Sequence, residues 1–164
     1  MHLFVIRHGV AEDVQPGSDD ANRKLTDNGE RKLKRQVRGL RTLGWHFGRV
    51  LTSPWIRAAS TADLLAPVSD GKPIETPLLT EAPRPELLAM IAESSTDSRK
   101  QATAVVGHEP WLGELISLLA FGDTEHAEPL LIKKGGVVWL EGTAVASGMM
   151  IRAVLPSSLL RKLR

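Results

Sequence analysis

No cysteine occurs among the 164 residues. That absence excludes disulfides, zinc–thiolate sites and cysteine nucleophiles together, and it suits a reducing compartment, so a cytoplasmic protein is expected. Long apolar runs are missing as well. Leu3-Phe4-Val5-Ile6 is cut short by Arg7, far below the length of a signal-sequence core. Nothing approaches the ~20 apolar residues of a membrane-spanning helix. P-loop and dinucleotide fingerprints are absent, and so is H-E-x-x-H. His2, His46 and His126 stand without companions at metal-ligand spacing, so neither metal nor cofactor is expected. Internal repeats and low-complexity tracts are lacking too.

The length fits one domain, residues 1–164, able to bury roughly 70% of the surface its unfolded chain exposes. The net charge is +2 and the sequence pI near 9.2, but the excess is uneven. Arg31, Lys32, Lys34, Arg35, Arg38 and Arg41 crowd one segment, and Arg161, Lys162 and Arg164 close the chain. No aromatic residue interrupts the first cluster, which argues against a nucleic-acid surface. A solvated helix face and a docking surface for an acidic partner both remain open.

Strand and helix patterns alternate. His2–Ile6 reads as a buried strand ending at Arg7-His8-Gly9, and Val10–Lys24, with Pro16-Gly17, as a loop. Thr26 resembles an N-cap, followed by Asp27 and Glu30 and by Leu33, Val37, Leu40 and Leu43 at helical spacing, with Gly44 as the stop. Arg49–Thr52 is a second strand. Ser53-Pro54 then has the pattern of an N-cap with proline in the first turn, predicting a helix to about Ala66. An extended piece is expected at Pro73–Thr76 and a helix from Glu86 to Ala92 or beyond, with Pro85 at its start. Thr103–Val106 is a strand closed by Gly107-His108, and Pro110 opens a helix bearing Leu112, Leu115, Ile116 and Leu119. Gly136–Leu140 and Met149–Leu155 pair as antiparallel strands, and Pro156 begins a short tail helix. The expected fold is α/β, a three-layer α/β/α sandwich with a mainly parallel central sheet and a C-terminal antiparallel strand pair. Ligands of such sheets sit beyond the carboxyl ends of the strands. Arg7-His8-Gly9, Ser53 and Gly107-His108 all fall there.

A neutral imidazole is a competent nucleophile at neutral pH and can carry a phosphoryl group on nitrogen. The adjacent guanidinium of Arg7 can bind phosphate oxygens in parallel, and Gly9 allows close backbone approach. Arg57, in the first turns of the helix after Ser53-Pro54, projects toward the same rim, and His108 leaves its strand as His8 does. A nucleophile among positive groups for three equatorial oxygens is what phosphoryl transfer needs.

On Arg7-His8-Gly9, Arg23-Lys24-Leu25-Thr26 with Gly29, Ser53-Pro54 with Arg57, and Gly107-His108, the chain resembles the histidine phosphatase superfamily, with its phosphoglycerate-mutase-like fold and RHG motif. The compact SixA type of phosphohistidine phosphatase is the nearest resemblance. It implies His8 as nucleophile, Arg7, Arg57 and His108 as the phosphate pocket, and Arg23 reaching the substrate. Gly9 and Ser53 would line the same pocket. Glu109 departs from relatives, which often carry Asn or a small residue there; its carboxylate must point away or pair with an arginine.

Larger relatives use a carboxylic acid to protonate an ester leaving group, and Glu81 lies about where that acid is expected. Imidazole leaves more easily than an alkoxide, so a phosphohistidine substrate demands little of Glu81. The short stretch between Ala66 and Ala102 leaves little chain for a lid, favouring a side chain on a protein, such as a histidine-phosphotransfer domain, as substrate. Two alternatives stay open: a small-molecule phosphomonoesterase or mutase on the same fold, and a non-catalytic phosphate- or phosphoprotein-binding module.

Overall fold

The computed structural model describes residues 1–93 and 102–163. Its centre is a six-stranded sheet of β1 (His2–Arg7), β2 (Arg49–Thr52), β3 (Ile74–Glu75), β4 (Ala102–Gly107), β5 (Val137–Gly142) and β6 (Met149–Leu155), in the order β3-β2-β4-β1-β5-β6. The first four in that order run parallel; β5 is antiparallel to β1, and β6 to β5. Among the described residues five α-helices accompany it: α1 (Asp27–Thr42), α2 (Ile56–Asp63), α3 (Pro85–Ala92), α4 (Trp111–Phe121) and α5 (Ser157–Leu160).

The alternation of side chains along a strand divides the core into two layers. Phe4, Ile6, Val50, Ala104 and Val106 face one way and meet Val37 and Leu40 of α1, Ala58 and Ala62 of α2, and Leu160 of α5. Leu3, Val5, Leu51 and Val105 face the other way, against Leu87 and Ile91 of α3 and Leu112, Leu115, Ile116 and Leu119 of α4. Each fully buried Val, Leu or Ile among them stabilises the fold by roughly 1.5–3 kcal/mol. The expected sandwich is therefore present, with its parallel core and antiparallel C-terminal pair.

Thr26 caps α1 as its sequence suggests, its hydroxyl accepting the Gly29 N–H at 3.0 Å, and Gly44 ends the helix at φ 72°. Leu43, in contrast, lies beyond the helix and is 41% exposed, so the apolar stripe stops at Leu40. The polar loop after β1 holds a short 3-10 turn at Asp20–Asn22 and a bridge from Ala11 to Leu25. The start of α2 also differs from expectation. Trp55, not Ser53, is its N-cap; the Ser53 hydroxyl accepts the Trp55 N–H and also meets His108 in the candidate site described next. That helix ends at Asp63, and a separate 3-10 turn follows at Ala66–Val68. Any continuation of α3 past Glu93, the last part of the stretch between Ala66 and Ala102, and the terminal Arg164 lie outside the described residues.

Candidate active site

Register brings the site together. Arg7 is level with Gly107, and Thr52 with Val106, so β1, β4 and β2 end side by side. His8, His108 and Ser53 are the next residues of the three strands. The His8 N–H donates to the Gly107 carbonyl at 3.1 Å, and the Ser53 N–H to the Val106 carbonyl at 3.0 Å, continuing the ladder one residue beyond each strand.

His8 lies deep, about 3% exposed, as do Arg57 and His108. Its Nδ1 is 2.7 Å from the Gly9 carbonyl oxygen, which can only accept, so Nδ1 carries the proton and Nε2 the lone pair. Arg57 Nε donates to that Nε2 at 3.2 Å. Burial foremost, then the charges of Arg57, Arg7 and Lys134, push the His8 imidazole down to about 4 against the opposing pull of its Gly9 hydrogen bond. The ring is neutral at pH 7 and its lone pair meets the Arg57 guanidinium.

Packing favours glycine at position 9: a Cβ there would lie 2.5 Å from Leu33 Cδ1 and 3.2 Å from Leu25 Cδ2, so the buried Leu33 side chain would have to shift. Its N–H donates to Thr61 Oγ1 at 3.1 Å, and the Thr61 hydroxyl donates to the Arg57 carbonyl at 2.7 Å. Thr61 thus ties the His8 loop to the turn of α2 that carries Arg57.

His108 stands beside His8, ring centroids 5.1 Å apart. Its Nε2 is 2.8 Å from Ser53 Oγ, which also accepts the Trp55 N–H at 3.2 Å. Among the described residues His108 Nε2 is the one acceptor within reach of the Ser53 hydroxyl proton, so Nε2 accepts it and Nδ1 is left as a buried donor with no partner. Burial first, and then Arg57, lowers this imidazole to about 3. Trp55 packs on the His108 ring at 4.5 Å and lies under the Arg57 guanidinium at 4.7 Å, with Trp111 edge-on to Trp55 at 5.8 Å.

Arg7 is fixed from the far wall. Its Nη1 donates to the Ile132 carbonyl at 2.7 Å, while its buried Nε has no partner. Glu109 turns away from the pocket and builds this wall. One carboxylate oxygen accepts the Ile132 N–H at 2.6 Å and the other the Gly113 N–H at 3.0 Å. Burial raises the Glu109 carboxyl, opposed by these hydrogen bonds and the charge of Arg7. The Gly135 N–H donates to both the Arg7 and His8 carbonyls, at 3.1 and 3.0 Å, and buried Gln36 of α1 donates to the Gly135 carbonyl.

Two expected residues are placed differently. Arg23 forms an ion pair with Asp20 at 2.7 Å, though its Nε–H is poorly aligned for a hydrogen bond, and its Nη1 donates to the Glu12 carbonyl at 2.9 Å. Asp20 in turn holds Arg57, accepting from Nη2 at 2.7 Å on its carboxylate and from Nη1 at 2.5 Å on its carbonyl. Partial burial pushes the Asp20 carboxyl up, but the hydrogen bond and charge of Arg57, with those of Arg23, hold it below the usual range. Arg23 therefore meets the site through Asp20. Glu81 is ion-paired with Arg84 at 2.7 Å and is partly exposed.

Buried donors, a neutral imidazole and the charges of Arg7 and Arg57 acting on it fit a tetrahedral oxyanion. Among the described residues, no group of three His, Cys, Asp or Glu side chains is placed to hold a metal ion. Residues 3–85 match the family model of the histidine phosphatase superfamily (branch 1). The chain belongs to that superfamily. The chain is 38% identical to an uncharacterized protein of Picosynechococcus sp. over 88% of its length and 87% of the relative's. It is 29% identical to phosphohistidine phosphatase SixA of Escherichia coli over 76% of its length and 77% of that protein's. The structure of SixA complexed with tungstate superposes with a TM-score of 0.76 at 20% identity, covering 96% of this chain and 98% of that one. The fold is SixA-like, and the activity that membership supports is that of a phosphatase.

Thr61 and Asp20 of this phosphatase were not evident from sequence. Thr61 could have been found, since it stands one helical turn after Arg57 on the same face of α2. Asp20 carries no local signal beyond being a carboxylate in a polar loop near Arg23.

Proposed function

We propose that this phosphatase removes the phosphoryl group from phosphohistidine side chains of a protein, by way of a phospho-His8 intermediate. The observation that carries the reading is the fixed tautomer of His8, a neutral ring with its Nε2 lone pair turned toward Arg57 and His108. In the first step Nε2 attacks phosphorus in line and the N–P bond of the substrate breaks. The leaving imidazole, protonated on its other ring nitrogen, departs neutral. Arg7, Arg57 and the His108 Nδ1–H receive the charge on the equatorial oxygens, Arg57 Nε shifting from the lone pair to an oxygen. Water then attacks phospho-His8 and releases inorganic phosphate. Gly9 admits the close packing behind His8, Ser53 orients His108, and Arg23 steadies Arg57 through Asp20.

A histidine leaving group is favoured over an ester because Glu81, the expected acid, is engaged by Arg84. An alkoxide would need that proton; an imidazole does not. The relationship to SixA supports the same reading, and a cytoplasmic setting goes with it. The test is phosphate release from a phosphohistidine-bearing phosphotransfer domain against a panel of phosphoesters, with His8→Ala as the blank. Preference for the phosphoprotein is expected. Preference for an ester, with dependence on Glu81, would move the function to small-molecule phosphoester hydrolysis.

A further inference from the structure

The buried side of α1 carries Leu33, Gln36, Val37 and Leu40. Arg31, Lys34, Arg35, Arg38 and Arg41 recur three and four residues apart on the opposite, exposed side, so they form one stripe along the helix. Like charges at this spacing oppose helix formation. Among the described residues the only carboxylate ion-paired to the stripe is Glu30, with Lys34 at 3.5 Å. Arg35, Arg38 and Arg41 share one groove with Arg161 and Lys162 at the chain end. A second groove runs along the other flank of the stripe, with Leu64, Ala66 and Pro67 on its far wall and Asp63 as its one acidic residue.

The stripe leads to the candidate site. Lys32 and Arg161 also border a notch formed with Gly9, Val10, Lys133 and Lys134, and Lys134 is close enough to His8 to act on its charge. From Lys32 to Arg41 the helix rises about 14 Å. Cationic side chains thus extend from the loop bearing the nucleophile along the length of a helix, with an apolar wall in one of the two grooves and no aromatic residue in either on which a base could stack. This combination complements an acidic protein surface better than a nucleic acid.

We infer that the α1–α5 face docks an acidic protein substrate so that its phosphorylated side chain reaches His8. The inference rests on the proposed phosphoprotein substrate and adds where that substrate is held. The test is the triple variant Arg35→Gln, Arg38→Gln, Arg41→Gln, whose exposed positions lie outside the pocket. Turnover is measured on an acidic phosphotransfer domain carrying phosphohistidine and on phosphoimidazole, which is too small to reach the stripe. KM for the domain should rise about ten-fold with kcat unchanged, and phosphoimidazole turnover should be unaffected. Added salt should raise the wild-type KM toward that of the variant. An unchanged KM, or an equal loss on both substrates, would overturn the inference.

Binding of the unphosphorylated domain and of a DNA duplex, measured at low and high salt, separates this surface from the catalytic reading. If wild type releases no phosphate from the phosphoprotein, the proposed substrate falls. The surface then stands if the acidic domain still binds in a salt-sensitive way that the three arginines control. It is overturned if variant and wild type bind the domain alike, or if DNA binds more tightly.

Discussion

Glu109 joins two backbone N–H groups to the segment that anchors Arg7, so a Glu109→Gln exchange tests whether the pocket depends on that wall. A hydrogen bond to a charged group contributes about 1.5–3 kcal/mol. Glutamine keeps one acceptor oxygen, but its NH2 group faces a second N–H and cannot accept from it. One bond is lost and two donors oppose each other, while relief from burying a charge offsets part of the cost. The net loss should be about 2 kcal/mol, lowering the melting temperature by roughly 4–8 °C for a chain of this size. Freed from Glu109, the Ile132 carbonyl no longer holds Arg7 in one place, and kcat/KM should fall about ten-fold, equivalent to ~1.4 kcal/mol. Urea unfolding followed by tryptophan fluorescence, with kinetics on the same preparation, measures both. Stability within about 0.5 kcal/mol of wild type together with full activity would refute the reasoning. The Gly135 contacts to Arg7 and His8 would then suffice alone.

Because His8 is held neutral down to about pH 4, the acid limb of kcat/KM, corrected for substrate ionisation, should fall near pH 4; a limb near 6.5 would contradict the buried tautomer. The same lowering of His8 and His108 gives a stability term present above about pH 6.5, where both folded and unfolded rings are neutral. It is lost as pH falls toward 3–4, where the unfolded chain alone takes up protons, and denaturant titrations across that window should show the decline. Arg57→Ala should lower phosphatase turnover by ~10²–10³, read from initial rates. Glu81→Gln should change phosphohistidine hydrolysis by less than about three-fold, and a larger loss would restore Glu81 as the acid.

The parallel core was legible because strands and helices alternate with clean apolar periods, and that order carries His8, Ser53 and His108 to one rim without further information. The contacts that tune the rim were not. Ser53-Pro54 has the form of a helix cap, and the hydroxyl does accept the Trp55 N–H, but its other partner is His108, 55 residues away, which no local pattern encodes. Gly9 reads as a residue that lets backbone approach a ligand, whereas the contacts a side chain there would meet are Leu33 and Leu25. The direction of Glu109 depends on the Ile132 N–H, 23 residues on. Arg23 has the right charge for a substrate ligand, yet Asp20 stands between it and Arg57. In each case the residue type was visible, and a contact distant in sequence decided its role; for Arg23 that contact is the one from its neighbour Asp20 to Arg57.

The most direct test of the account is to quench turnover of a radiolabelled phosphohistidine protein in base and to map the trapped phosphoenzyme. Base-stable, acid-labile label on His8, linked through Nε2 and absent from His8→Ala, is the predicted result. No phosphoenzyme, label at another residue, or a linkage through Nδ1 would contradict it.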